Sequence, residues 1–255
     1  MISDFFEIFL LSIIQGVSEF IPVSSTAHLI LASNIYEFKN QSLLIDISLH
    51  LGSLLAILFY FKDDVFNFNK NKNLFYKIII GTLPLIIIGY FVYATNIIDY
   101  FRDIKIIAWA TLFFGILLYI ADKNKLLKKI DTDFTMKSVL IIGFFQVLAL
   151  IPGVSRAGIT ITAGRILGFD RTDSTKISFY LSIPALLGAS TLGIKDLFKE
   201  NLDFNLLVLV GVFLSFLFSL ITIKIFFKFI KNFSLNVFVI YRIFLAIILF
   251  YIIYF

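Results

Sequence analysis

The chain has 255 residues, 60% of them hydrophobic, 32 of them Phe, with a mean hydropathy of +0.97. That excludes an ordinary water-soluble domain and points to a helical protein that crosses a membrane several times. The net charge of +5 would suit nucleic acid, but the basic residues fall in short stretches between apolar runs, so membrane topology accounts for them instead, and with no Cys there is neither a disulfide framework nor a thiolate metal site.

From the N-terminus, the first apolar run, 5–14, follows Asp4 rather than a basic stretch, so a cleaved signal peptide is not expected. It is too short to span and runs into Gln15-Gly16-Val17-Ser18-Glu19-Phe20-Ile21-Pro22-Val23-Ser24-Ser25-Thr26-Ala27-His28. Six runs of spanning length follow: 43–61, 78–94, 106–121, 177–194, 206–223 and 237–255. Between the third and fourth lies a second short run, 139–151, ending at Pro152-Gly153-Val154-Ser155-Arg156-Ala157-Gly158-Ile159-Thr160. Pro22 and Pro152 each stop a helix, and Ser24, Ser25 and Ser155 are suited to cap another, so both short runs read as helix, break, helix. Broken backbone at membrane depth survives only inside protein or beside water.

The expected fold is therefore an all-α polytopic membrane protein with six transmembrane helices and two re-entrant helix-loop-helix segments. One re-entrant segment plus three spans, about 1–122, is followed by the same order over 137–255, an inverted-topology repeat within one membrane domain. Loop charge agrees. Stretches 62–77, 122–137, 165–176 and 224–231 hold fifteen Lys and Arg, against five in 33–42, 95–105 and 195–203. The richer set belongs in the cytoplasm, with both termini outside and the first break entering from the outer side.

The chemistry of the breaks suggests an anion site. Glu19 lies one turn before the first break, on the helix face of Gln15. Ser25 and His28 share a face at the start of the next helix, whose free N–H groups suit a phosphate, with Ser24 and Thr26 beside them. Ser155, Arg156 and Thr160 repeat the pattern, and a guanidinium forks onto phosphate oxygens as Lys cannot. Gly153 and Gly158 allow close backbone approach. Plainer readings stand beside these. Glu19 could be a structural partner of Arg156, His28 a core histidine, Thr160 a back-bonding helix residue, and Gln15 and Gln146 could satisfy backbone freed at the breaks. Asp46 and His50 could face the cavity or bond one another, and Arg242 is expected to snorkel from the last span.

The two motifs, with Asp46-x-x-x-His50-Leu-Gly-Ser53 and Tyr241-Arg242, resemble the bacterial undecaprenyl-diphosphatase family of bacitracin-resistance type, essentially end to end. Ala27 and Ala157 stand where that family commonly has Gly and Ser. Gln15 stands where Glu is frequent, leaving Glu19 the one acidic candidate of its motif. The resemblance implies hydrolysis of undecaprenyl diphosphate to undecaprenyl phosphate and phosphate, recycling the carrier for peptidoglycan synthesis and conferring bacitracin resistance in the bacterial inner membrane. It further implies Glu19, Ser25, His28 and Arg156 as catalytic residues, Ser155 and Thr160 in the phosphate site, and a divalent cation, Mg²⁺ or Ca²⁺, at Glu19. The nucleophile is Ser25, with His28 or Glu19 as base, or else His28 itself or a water it activates. Expected partners are the polyprenyl diphosphate and bilayer lipids, with a homodimer left open and no nucleic acid. A transporter or lipid-phosphate flippase is the alternative, since inverted repeats with broken helices are its usual plan. The other membrane lipid-phosphatase class is excluded, because it needs His six residues after its Ser-Arg and Thr162 stands there.

Overall fold

In a computed structural model the described residues of the protein form helices joined by short turns. The described residues are 2–36, 43–95, 97–125, 127–200 and 206–254. The helices are α1 Ile2–Ser18, α2 Ser25–Tyr36, α3 Leu43–Tyr60, α4 Lys62–Phe66, α5 Phe68–Ala94, α6 Ile104–Asp122, α7 Ile130–Asp133, α8 Met136–Val147, α9 Arg156–Ile166, α10 Arg171–Glu200, α11 Leu206–Asn232 and α12 Asn236–Tyr254. Two 3₁₀ turns, Ile97–Arg102 and Leu148–Leu150, complete the order. Among the described residues the only β pairing is a single bridge, Lys128 with Phe169.

Among the described residues four helices are long and apolar enough to cross a membrane: Asn71–Ala94, Ile104–Asp122, Leu206–Asn232 and Asn236–Tyr254. The run expected at 43–61 forms α3, apolar but short. The run at 177–194 lies inside α10, which has 30 residues and buries the hydroxyls of Ser174, Thr175, Ser178, Ser182 and Ser190. The basic stretch 224–231 is not a loop: α11 continues through it to Asn232, because nothing there breaks a helix. Likewise 195–200 extends α10, while 37–42 and 201–205 lie outside the described residues.

Both short runs form two helices around a break. Beyond Ser18 the chain turns through Phe20–Pro22 before α2. Pro152 and Gly153 separate the turn after α8 from α9. The residues just before α2 and α9 are Ser24 (φ 77°) and Ser155 (φ 70°), the two non-glycine residues with positive φ among those described. Such backbone costs about 1–3 kcal/mol per residue, so the surrounding packing must hold it in place.

Packing does so. α1 lies on α11, α8 on α5, and α3 lies between α10 and α11, with α6 against α12 and α9 against α10 and α6. Helices come close where small residues meet: a Cβ on Gly52 would lie 2.4 Å from Val212 O, and one on Gly143 2.2 Å from Gly81 O. The main core gathers Ile57, Phe179, Phe226 and Phe227. Phe20, in the first break and fully buried, meets Phe179 edge-on at 5.2 Å. Such an edge-on ring pair is worth about 0.5–1.5 kcal/mol and ties the break to α10.

Candidate active site

The two breaks touch. Gly153 N–H donates to Ser24 Oγ at 3.2 Å, and Arg156 Nη2 donates to Glu19 Oε1 at 2.7 Å. The other oxygen of Glu19 accepts from Ser25 Oγ at 2.8 Å and from Gln15 Nε2 at 3.0 Å. One carboxylate, 8% exposed, therefore joins a guanidinium from one motif to a hydroxyl from the other. Arg156 also donates to Ser178 O at 3.4 Å and stacks over the Phe20 ring at 5.9 Å, so α10 and the first break fix its direction.

These groups line a cavity of about 190 Å³. Glu19, Ser24, Ser25 and Thr26 come from the first motif, Ser155 and Arg156 from the second, and His50 from α3. Leu85 of α5 and Ala185, Leu186 and Ala189 of α10 supply an apolar wall. A small charged cleft with one greasy side suits a polar head joined to an apolar tail.

His28 is not on that wall. Its Nδ1 donates to Ser24 O at 2.6 Å, which leaves Nε2 to accept from Tyr241 Oη at 2.5 Å, and the two rings stack 5.6 Å apart. The three-residue spacing from Ser25 gave a shared face, but the ring turns back along α2 toward α12. His50 lines the cavity instead. Its Nδ1 donates to Asp46 O at 2.8 Å, so in the neutral ring Nε2 is the acceptor. The bond is to the backbone of Asp46, one helical turn away, and the sequence signal was the Asp-x-x-x-His spacing.

The second motif divides similarly. Ser155 Oγ accepts from Gly158 N–H at 3.1 Å and so caps α9, which takes that N–H away from any ligand. Thr160 is buried, its hydroxyl placed to donate to Ser178 Oγ at 2.7 Å with Arg156 O also in reach at 2.8 Å, so it braces the cleft from behind. Gln146 is fully buried and its amide finds no partner among the described residues, whereas Gln15 reaches Glu19 rather than backbone.

Arg242 corrects the expectation of snorkelling. It is fully buried, and its fork donates to Gly153 O at 2.8 Å, Val154 O at 2.9 Å, Thr111 O at 3.1 Å and, at 3.4 Å, Pro22 O. The breaks leave carbonyls without helical partners, and five N–H donors on one side chain collect them from both. Gly158 makes room: a Cβ there would stand 3.0 Å from Arg242 Nη1. Gly153 (φ 94°) presents its backbone to Ser24 and Arg242, and neither glycine lines the cavity.

Among the described residues no group of three or more His, Cys, Asp and Glu could hold a metal ion. Glu19 is the one carboxylate in the cleft, with both oxygens engaged. Hard divalent cations are often held by one or two carboxylates together with substrate phosphates, and Glu19 fits that plan only with the substrate's oxygens supplying the rest.

Comparison with known proteins agrees with the two motifs. Residues 8–248 match the family described as bacitracin resistance protein BacA. The undecaprenyl-diphosphatase of Pelagibacter ubique is 54% identical over 255 residues, covering all of both chains. That of Chromohalobacter salexigens is 38% identical, covering 96% of this chain and 98% of its own, and that of Jannaschia sp. 35%, covering 96% and 97%. The chain belongs to the BacA bacitracin-resistance family.

Proposed function

We propose that this protein is a membrane phosphatase that hydrolyses undecaprenyl diphosphate to undecaprenyl phosphate and inorganic phosphate, supplying carrier lipid for peptidoglycan and conferring bacitracin resistance. The relatives bear the name of that activity over their whole lengths. The observation that carries it at residue level is Glu19 bonded to both Arg156 and Ser25 in one cleft. A nucleophile in contact with a base, beside a guanidinium, is what phosphoryl transfer needs and what a simple transporter has no use for.

Ser25 Oγ attacks the terminal phosphorus and Glu19 takes its proton. The bond to the lipid monophosphate breaks, and the proton leaves with that product. Water then attacks the phosphoserine, Glu19 accepts the water proton, and Ser25 leaves with a proton returned from Glu19. Arg156 stabilises charge on the moving phosphoryl group. His50 assists the water step as a second base. Thr26 and Ser24 contribute to the walls around the head group. A divalent cation brought in on the diphosphate, with Glu19 as its protein ligand, would offset phosphate charge. The bonds of His28 to Ser24 and Tyr241 favour a bracing role for it.

The prenyl tail leaves between α5 and α10. The two helices wall the cleft and also enclose an apolar cavity of about 230 Å³, lined by Leu74, Ile78, Ile183 and Leu187. For the topology we propose six spans and two re-entrant segments in an inverted repeat, with both termini and the cleft facing outward from the plasma membrane. Support comes from the paired contacts: α1 lies on α11 as α8 lies on α5, and α3 on α11 as α10 on α5. The left-handed serines before α2 and α9 are equivalent in that scheme.

Phosphate release from a polyprenyl diphosphate by the purified protein in detergent, without any gradient and with or without chelator, tests the activity. Binding of the lipid without phosphate release would favour the flippase instead.

A further inference from the structure

A cavity apart from the cleft exceeds it in volume. It measures about 570 Å³ and opens at the end of the bundle where α6, α9 and α11 stop and α10 and α12 begin. Five cationic side chains and two carboxylates line it. Both carboxylates are already matched. Asp122 (5% exposed) takes Arg171 in a two-bond fork at 2.8 and 2.9 Å, has Arg165 Nε at 3.3 Å, and accepts from Leu235 N–H at 3.1 Å. Asp170 pairs with Lys129. Two guanidiniums on one carboxylate leave the floor positive, with Arg165 itself only 3% exposed. Lys123, Lys125 and Lys231 stand around it, and neither Lys125 nor Lys231 has an ion-pair partner among the described residues.

Tyr119 and Asn236 line this chamber and also a second cavity, of about 200 Å³, whose other walls are Ile116, Val239, Ile240 and Ile243. That cavity follows the seam between α6 and α12, and Ile240 is 67% exposed on the outside of the bundle. A cationic chamber thus lies beside an apolar groove facing the surroundings of the helices, with Tyr119 and Asn236 between them. Between Asn236 and Ile243 the groove runs about 10 Å along α12, the reach of a good part of an acyl chain.

We propose that the chamber and groove together bind an anionic phospholipid, its phosphodiester among Lys125, Lys231 and the Arg171 side of the floor, and one acyl chain along the α6–α12 seam. Charge selects the head and the seam selects a chain over a free ion. None of these residues belongs to the cleft, so the site is separate from the phosphatase reading and does not rest on it.

The test is lipid retention by native mass spectrometry of the full chain in detergent, with phosphatidylglycerol, phosphatidylcholine or inorganic phosphate added. Phosphatidylglycerol should be retained over phosphatidylcholine. The exposed pair Lys125→Glu and Lys231→Glu should lower its retention by about tenfold or more. Ile240→Trp, which fills the groove, should lower it while leaving every charge in place. The same charge change outside the chamber, Lys137→Glu with Lys228→Glu, should leave retention unchanged. Equal retention of the two lipids, equal loss in both charge pairs, or full displacement of the lipid by equimolar inorganic phosphate would each overturn the proposal. Phosphate release read on the same samples should stay at the parent level.

Discussion

Glu19 and Arg156 are 137 residues apart in the chain and 2.7 Å apart in space. Neither charge is placed for stability alone. A buried ion pair roughly breaks even against apolar packing of the same shape, and removing one partner strands the other at a cost of about 3–5 kcal/mol. Glu19 meets the Arg156 guanidinium and the Ser25 hydroxyl at once, and a diphosphate entering the cleft would compete for the same guanidinium.

Arg156→Lys should therefore abolish most turnover. An ammonium offers its three donors from one point, without the planar fork that meets Glu19 and Ser178 O in fixed directions beside a phosphoryl oxygen, and loss of one charge-stabilising donor group typically costs about 10²–10³-fold in kcat. The check is phosphate release at saturating lipid. Turnover within a few-fold of the parent would remove the clamp from the mechanism.

Ser25→Ala should be more damaging than His28→Ala, because only Ser25 faces the cleft in contact with Glu19. Tyr241→Phe should reproduce much of the His28→Ala effect, since the two side chains form one stacked, hydrogen-bonded pair. Acid quenching during turnover of terminally labelled substrate should leave label on Ser25. Label on His28 would reverse the assignment.

His50→Gln should slow the second half of the reaction more than the first, lowering kcat by about 10²-fold as loss of a general base commonly does. The quenched phosphoenzyme should then accumulate relative to the parent. An unchanged steady-state level with reduced kcat would place His50 in substrate binding instead.

Arg242→Met should destabilise the protein beyond any other single change at the site, because several buried carbonyls lose their donor at about 1–3 kcal/mol each. Arg242→Lys keeps one charge and should fall between the two. Melting temperature in detergent, read beside phosphate release, checks both, and a stable but inactive Arg242→Lys would show that the fork sets geometry rather than folding.

Much of the architecture was legible because apolar length and proline position are local properties: Pro22 and Pro152 mark the breaks and Ser155 caps the following helix. Glu19, Ser25 and Arg156 were legible as chemistry too costly to leave in an apolar environment without use. The direction of side chains was not. His28 satisfies the spacing rule relative to Ser25, yet Tyr241, 213 residues away, decides where its ring goes. Arg242 resembled a lysine-like tail near a helix end, and only the meeting of both breaks against α6 and α12 creates the carbonyl cluster that draws it inward. Gly158 and Thr160 carry motif positions for the same reason, one clearing space for Arg242 and the other bracing Ser178.

Arg242 also imposes an order on biosynthesis. It belongs to α12, which leaves the ribosome after both breaks have been made, yet it supplies donors to Pro22, Gly153 and Val154. Until α12 enters the bilayer, the nascent loops must borrow water or translocon groups for those carbonyls. A chain interrupted before α12 would hold every residue that faces the cleft and still lack the donors that hold its two breaks together.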